Sequence, residues 1–330
     1  MVARESAGDP ERTARILAGL RVYQEAERAP PLDPMPAIAR RRGAALRDYG
    51  GEGPSVLFIP SLINPPAILD HRERSLLRWL AARGHHVLLL DWGSDPAANA
   101  ALSLGDHVTE IVLPLLREIE PRPALVGYCL GGTIAIAAAR LTGVPALATI
   151  AAPWCFAGYS ATARKQLAEL WARSQFAVDA LGVLPMEILQ SAFWNLDPRR
   201  TVAKFEVLAA MPPGSAQAAA FVALEDWAND GPPIGAAAAR ELFEDFFARD
   251  LPGSLAWRVA GRSVDPGTLA CPALHIVSTI DRIVPAASAP PGGERLDLAL
   301  GHVGMVVGSR AQAALWEPLD AWLSNPARPR

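Results

Sequence analysis

Hydrophobic positions along the chain follow two alternating rhythms. Ser55–Ile59, His86–Leu90, Ala124–Val126 and Ala146–Ile150 are short, almost wholly apolar runs with the length of buried strands. Between them, Ile68 to Ala82 and Leu102 to Ile119 place apolar residues every three or four positions, with Leu69, Leu76, Leu77 and Leu80 as the stripe of the first; both segments are predicted helices. Strands and helices alternating at this spacing predict an α/β protein with a doubly wound, mostly parallel sheet. The alternation stops after residue 150 and returns with strands at Ala273–Ser278 and Arg295–Leu300. A closing amphipathic helix carries Ala314, Leu315, Leu319, Trp322 and Leu323.

The stretch 152–268 between the two halves of the sheet is an Ala-rich helical pattern broken by prolines, with Trp154, Trp171, Trp194, Trp227 and Trp257 spread along it. A helical insertion after that strand predicts a lid at the sheet's C-terminal edge, where such folds bind ligands. Its aromatic residues read first as the filling of a small helical core and second as the lining of an acyl pocket. At the other end, Asp9-Pro10-Glu11 supplies an N-cap, a first-turn proline and an acidic first turn, and Ile16, Leu17, Leu20 and Tyr23 follow at helical spacing. That predicts one amphipathic helix lying on its own domain, ended by Pro30, Pro31, Pro34 and Pro36 in an extended linker. The expected organisation is therefore an N-terminal helix and linker (1–43), a first core segment (44–151), the lid (152–268) and a second core segment (269–330).

Composition narrows the function classes. Over 330 residues the formal net charge is −3, which gives no electrostatic case for binding nucleic acid, and Arg40-Arg41-Arg42 reads as a solvated surface cluster. Cys129, Cys155 and Cys271 form no disulfide framework and fit a reducing, cytoplasmic setting. No apolar signal segment opens the sequence. From Pro123 to Tyr159 the only charge is Arg140, but Gly127, Gly131, Gly132, Gly143, Pro145 and Pro153 punctuate the run, so buried strand, turn, helix and strand explain it better than a membrane span. Neither a metal-ligand pattern nor a dinucleotide-binding glycine motif after a strand is present, so no cofactor is expected.

Candidate chemistry centres on Val126-Gly127-Tyr128-Cys129-Leu130-Gly131-Gly132-Thr133. Gly127 and Gly131 flank Cys129 at i−2 and i+2, the spacing of a nucleophile turn in which any side chain at the flanks would clash with backbone. The following helix points its N-terminus at the sulfur, which favours thiolate over thiol. A Gly-Gly pair beside a buried cysteine is also ordinary core packing. Asp281 and His302 follow the later strands in the chain order nucleophile, acid, histidine. In that constellation His302 takes the proton from Cys129 and Asp281 holds the imidazole tautomer. Taken singly, Asp281 is equally a turn or cap residue and His302 a loop residue. The backbone N–H groups of Leu130 and of Leu62, in the loop after the first strand, are the expected oxyanion donors. His71, His85, His86, His107 and His275 lack this placement and read as structural or exposed, and Cys155 and Cys271 as small buried hydrophobes. A cysteine in place of serine keeps the acyl group activated as a thioester, which favours transfer from a thioester donor over plain ester hydrolysis.

At these residues the chain resembles the catalytic subunit of poly(3-hydroxyalkanoate) synthases, from about Ser55 to Leu323. The blocks that carry the resemblance are Pro60-Ser61-Leu62-Ile63-Asn64 with Ile68-Leu69-Asp70, Asp91-Trp92-Gly93, the Gly-Tyr-Cys-Leu-Gly-Gly box, Asp226-Trp227-Ala228-Asn229-Asp230-Gly231, Asp281-Arg282-Ile283-Val284-Pro285 and Gly301-His302-Val303-Gly304. The resemblance implies an α/β-hydrolase core, Cys129 as acyl carrier, His302 as base and Asp281 helping to activate the 3-hydroxyl of the incoming unit. It further implies a 3-hydroxyacyl-CoA substrate, a polyester product with CoA released, a second synthase subunit or a homodimer as partner, and a cytoplasmic protein found also at polyester granules. The chain departs from the family pattern at Arg282, where histidine is common, at Ser61, where proline is common, and through 155–211, which matches least. A hydrolase using the same three residues and a non-catalytic binding subunit are the alternative readings.

Overall fold

The computed structural model describes residues 1–72 and 74–326; the last four positions of the second core segment lie outside the described residues. Eight strands form one sheet: β1 (Ala37–Arg41), β2 (Ala44–Asp48), β3 (Ser55–Ile59), β4 (His86–Asp91), β5 (Ala124–Tyr128), β6 (Leu147–Ile150), β7 (Ala273–Ser278) and β8 (Glu294–Leu298). Their spatial order is β1-β2-β4-β3-β5-β6-β7-β8. From β4 onward every pairing is parallel, and only β1 with β2 and β2 with β4 are antiparallel. The central strands β5, β6 and β7 are buried at every position, as strands covered on both faces must be. This is the doubly wound, mostly parallel sheet expected, and it is the architecture of the α/β-hydrolase fold.

Two elements differ from the pattern reading. The sheet's antiparallel edge, β1 and β2, was not foreseen. Its turn residues Arg42 and Gly43 both adopt positive φ (49° and 82°), as a two-residue hairpin requires, and the arginines of that turn bond the protein itself, Arg41 Nε donating to the Glu110 carbonyl (3.2 Å). The helix expected from Ile68 begins only at Leu76, where Ser75 caps it by accepting from Arg78 N–H. Before it, Asp70–His71 and Arg74–Ser75 pair as a small hairpin. Ile68, Leu69, Leu76, Leu77 and Leu80 are nevertheless all buried, so the apolar positions were read correctly and the backbone between them was not.

The chain divides into two compact units. One comprises Pro34–Pro185 and the residues from Pro232 to the C-terminus, and holds the sheet, the helix Ala161–Leu181 and the helical stretch 236–248. Within it Trp154, Trp257, Phe156, Phe246 and Tyr159 pack edge-on, tilted or stacked, so these aromatics do fill a core. The other unit joins Met1–Asp33 to Met186–Gly231. There the helix Pro10–Glu25, capped by Asp9, lays Ile16 among Val202, Phe205, Leu208 and Ala218. Gly19 lies against the Phe205 carbonyl, an approach that any Cβ would block. Asp226 accepts from the Tyr23 hydroxyl (2.6 Å) and from the Arg28 guanidinium (3.1 and 3.2 Å).

One buried histidine makes the sheet sensitive to acid. His275 on β7 sits opposite Thr149 on β6 and shares a hydrogen bond with its hydroxyl (2.8 Å), while its Nε2 is enclosed without an acceptor. Burial, then the charge of Arg295, pushes the imidazole down from 6.5 to about 4. Because the folded value lies below the unfolded one, protons bind the unfolded chain more readily. Stability is therefore complete above pH 6.5 and falls as pH drops toward 4, by about 2 kcal/mol at pH 5 at ~1.4 kcal/mol per pH unit. His275→Gln should flatten this fall; urea midpoints at pH 7 and pH 5 that decline equally in both proteins would remove His275 as its source.

Candidate active site

A sharp turn from β5 into the helix Leu130–Thr142 carries Cys129, buried, at its apex. Cys129 has φ 54° and ψ −130°, a region that residues with a Cβ enter only under strain and that is typical of functional turns. Its N–H donates to the Ile150 carbonyl (2.9 Å) and its carbonyl accepts from Gly132 N–H (2.8 Å), which ties the apex to β6 and to the helix. The flanking glycines are needed for space. A Cβ on Gly127 would strike the backbone of Gly131 and Gly132, and one on Gly131 the carbonyls of Ile59 and Pro60. Gly131 thereby seats the turn directly against the end of β3, so the loop carrying Ser61 and Leu62 begins beside the cysteine. Leu130 is the first residue of the helix, where backbone N–H groups have no partner within the helix.

Asp281 and His302 follow the ends of β7 and β8, the strands on the far side of β6. The two loops are pinned together. Ser278 Oγ donates to the Leu300 carbonyl, and Thr279 N–H donates to the Leu298 carbonyl (2.9 Å). Asp281 Oδ1 accepts from Ile283 N–H (2.7 Å) and Val284 N–H (3.1 Å), which leaves Oδ2 to face His302 Nδ1 at 2.6 Å. Cys129, at the turn, is near enough to act on the imidazole electrostatically. Cys129, Asp281 and His302 are respectively 8, 9 and 8% exposed. The structure thus brings together three residues that stand 152 to 173 positions apart or 21 apart in the sequence. Burial opposes charge on the imidazole, but the Asp281 carboxylate and then Cys129 outweigh it and raise the ring from 6.5 to about 10. A cationic ring between a carboxylate and a sulfur can hold a proton for delivery to a leaving group.

Two residues at this site carried no recognisable signal in the sequence. Tyr128, which stands in the glycine box with no role of its own assigned from sequence, lays its ring on His302. Tyr159 stands where the charges of Cys129 and Asp281 both reach it, and burial with those charges keeps its hydroxyl protonated far above the usual range. Nearby, the Ser288 carbonyl accepts from Trp154 N–H (2.7 Å) and Cys155 N–H (3.0 Å). The segment after β6 is thereby stitched to the segment after Asp281. Cys155 is half-buried, less enclosed than expected, and burial followed by the charge of Asp250 pushes its thiol up. Of the remaining histidines, His85 pairs with Asp320 (2.8 Å) and His107 with the Ser103 carbonyl (2.7 Å), away from the three residues above. Among the described residues no cluster of His, Cys, Asp and Glu could hold a metal ion, and no helix is long and apolar enough to cross a membrane.

No protein-family profile matches the chain. It is 27% identical to the poly(3-hydroxyalkanoate) polymerase subunit PhaC of Haloarcula marismortui over 87% of this chain, and 28% identical to PhaC of Haloferax mediterranei over 82%. The matched parts are 64% and 58% of those two relatives, so the chain spans about three-fifths of their length. PhaC of Allochromatium vinosum is 27% identical, with 82% of this chain and 80% of that protein matched. Among solved structures, BpoC of Mycobacterium tuberculosis superposes with a TM-score of 0.55 at 17% identity, covering 90% of this chain and all of that one. A thermophilic esterase of Thermogutta terrifontis superposes at 0.51 and 17% identity, over 91% and 98%. Those structures speak to architecture, and the PhaC subunits to ancestry. By both, the chain is similar in sequence to PhaC subunits and has the α/β-hydrolase fold.

Proposed function

We propose that the protein is an acyltransferase similar to poly(3-hydroxyalkanoate) synthases, with Cys129, His302 and Asp281 as its triad. The observation that carries this reading is a cysteine, not a serine, at a strained strand-to-helix turn, near enough to a buried, hydrogen-bonded Asp281–His302 pair to act on its imidazole electrostatically. The sulfur attacks the carbonyl of a 3-hydroxyacyl-CoA, with the developing oxyanion received by the N–H groups of Leu130 and Leu62. CoA leaves as its thiol with the proton held by His302, and the acyl group stays on Cys129 as a thioester. The 3-hydroxyl of a second acyl unit then gives its proton to His302 and attacks that thioester, forming an oxoester and freeing the sulfur. Both oxygens of Asp281 are occupied, by His302 and by two backbone N–H groups, so in this scheme it acts on the hydroxyl only through the imidazole.

The CoA thioester is substrate in this scheme and no cofactor enters. A growing polyester, and a second synthase subunit or a second copy of the chain, are the partners it implies, in the cytoplasm and at polyester granules. The parts of the insertion after β6 that belong to the sheet's own unit, Ala161–Leu181 and 236–248, are what we assign to controlling water at the acyl-cysteine. Purified protein given 3-hydroxybutyryl-CoA, with and without a synthase partner subunit, tests the proposal. CoA release with insoluble polymer is the expected result. Free 3-hydroxybutyrate in place of polymer would make the protein a hydrolase, and no CoA release under either condition would make it a binding subunit.

A further inference from the structure

We propose that Tyr128 is a positioning residue for His302, its ring face holding the imidazole as a cation aimed at Cys129. Tyr128 is the last residue of β5, one position before the nucleophile, and is 3% exposed. Its ring centroid lies 5.2 Å from that of His302, with the planes tilted by 33°. A cation within about 6 Å of an aromatic centroid is drawn to the negative face of the ring, most strongly where water is excluded, as it is here. The phenol hydroxyl is 3.4 Å from the His302 carbonyl, beyond the usual length of an O–H to oxygen bond, so the ring and not the hydroxyl makes the main contact.

The titratable and charged groups that bear on the imidazole are Asp281 from the loop after β7, Cys129 from the turn and Tyr128 from β5. Asp281 supplies a carboxylate hydrogen-bonded to the ring, and Tyr128 supplies a neutral π face. Burial, with the charges of Cys129 and Asp281, keeps its hydroxyl protonated well above pH 10. The face therefore persists at any pH at which the protein works.

This inference rests on the catalytic reading of His302, but its test reads the imidazole itself. Histidine labelled with carbon-13 at Cε1 reports each ring's titration, with His302 assigned by its loss in His302→Gln. Tyr128→Phe keeps the ring, and the His302 midpoint should stay within about 0.3 pH unit of wild type. Tyr128→pentafluorophenylalanine keeps the shape but reverses the ring's quadrupole, and should lower the midpoint by about one pH unit. Both replacements are close to isosteric, and thermal unfolding confirms that each is folded. A pentafluorophenylalanine variant that titrates with the wild type, or a Tyr128→Phe variant that shifts as far as it, would overturn the proposal. A protein whose His302 behaves as described yet releases no CoA would count against the proposed function alone.

Discussion

Cys129→Ala is expected to lower CoA release from 3-hydroxybutyryl-CoA by about 10⁴-fold, to the level left by binding and oxyanion contacts alone. The alanine keeps the Cβ that the strained turn already accommodates and removes only the sulfur, so the variant should unfold with the wild type in urea. Cys155→Ala is the matched control. Its thiol is half-buried and pushed up by burial and by Asp250, which makes it a poor nucleophile at neutral pH, and most activity should survive its loss. Release measured by thiol titration, with intact-mass detection of an acyl adduct, separates the two. Equal rates for wild type and Cys129→Ala would dispose of the covalent scheme, and an adduct on Cys155 would move it elsewhere.

The parts of this molecule that could be read before its structure are those whose physics is local. β3, β5, β6 and β7 are continuous apolar runs because they are covered on both faces, and such runs stand out in a sequence. Gly127 and Gly131 stand out because a tight turn admits no side chain at either position. Asp281 and His302 could be ordered after Cys129 only because each follows a recognisable strand; that Oδ2 meets Nδ1 at 2.6 Å is a consequence of β7 and β8 being neighbours. What stayed hidden depends on distant partners. The β1–β2 edge carries arginines outward and ends in Arg42-Gly43, so it looks like a polar linker until β4 is placed beside it. Gly19 gives no sign that the carbonyl of Phe205, nearly two hundred positions later, will press against it. Tyr128 looks like any residue of a strand, because its significance lies wholly in the ring of His302.

That dependence has a consequence for how the site is held. None of the three residues sits on an element that could form the site alone. Cys129 is presented by β5 and braced on β6, Asp281 is fixed by its own loop's N–H groups, and His302 is fixed by a loop that Ser278 and Thr279 tie to β7. Trp316 Nε1 donates to the Val306 carbonyl (2.9 Å), so the closing helix anchors the short helix that follows His302. The geometry is thus a property of the assembled sheet, and a change that moves one strand end should be felt at the sulfur.

Gly131→Ala is the sharpest case of such a change, with an expected loss of about 3 kcal/mol of stability. Two effects oppose each other. Alanine in place of glycine in a helix gains about 1 kcal/mol, since glycine loses more backbone freedom on folding. Against it, the new methyl group would lie far inside contact distance of the carbonyl oxygens of Ile59 and Pro60. These are backbone atoms at the end of a buried central strand, not the tip of a side chain that could swing aside, so the helix or the strand end must move. The clash therefore outweighs the gain, and the urea midpoint should fall. Gly304→Ala isolates the effect: that glycine also begins a helix, beside His302, but a Cβ there meets nothing within 4 Å. It should be neutral or slightly stabilising. The displaced strand end is also where the Leu62 loop starts, so whatever Gly131→Ala protein remains folded should form acyl-enzyme slowly while still binding substrate. A Gly131→Ala protein as stable as the wild type would show that the turn and β3 are not in the close contact on which the placement of Cys129 and of the proposed oxyanion donors depends.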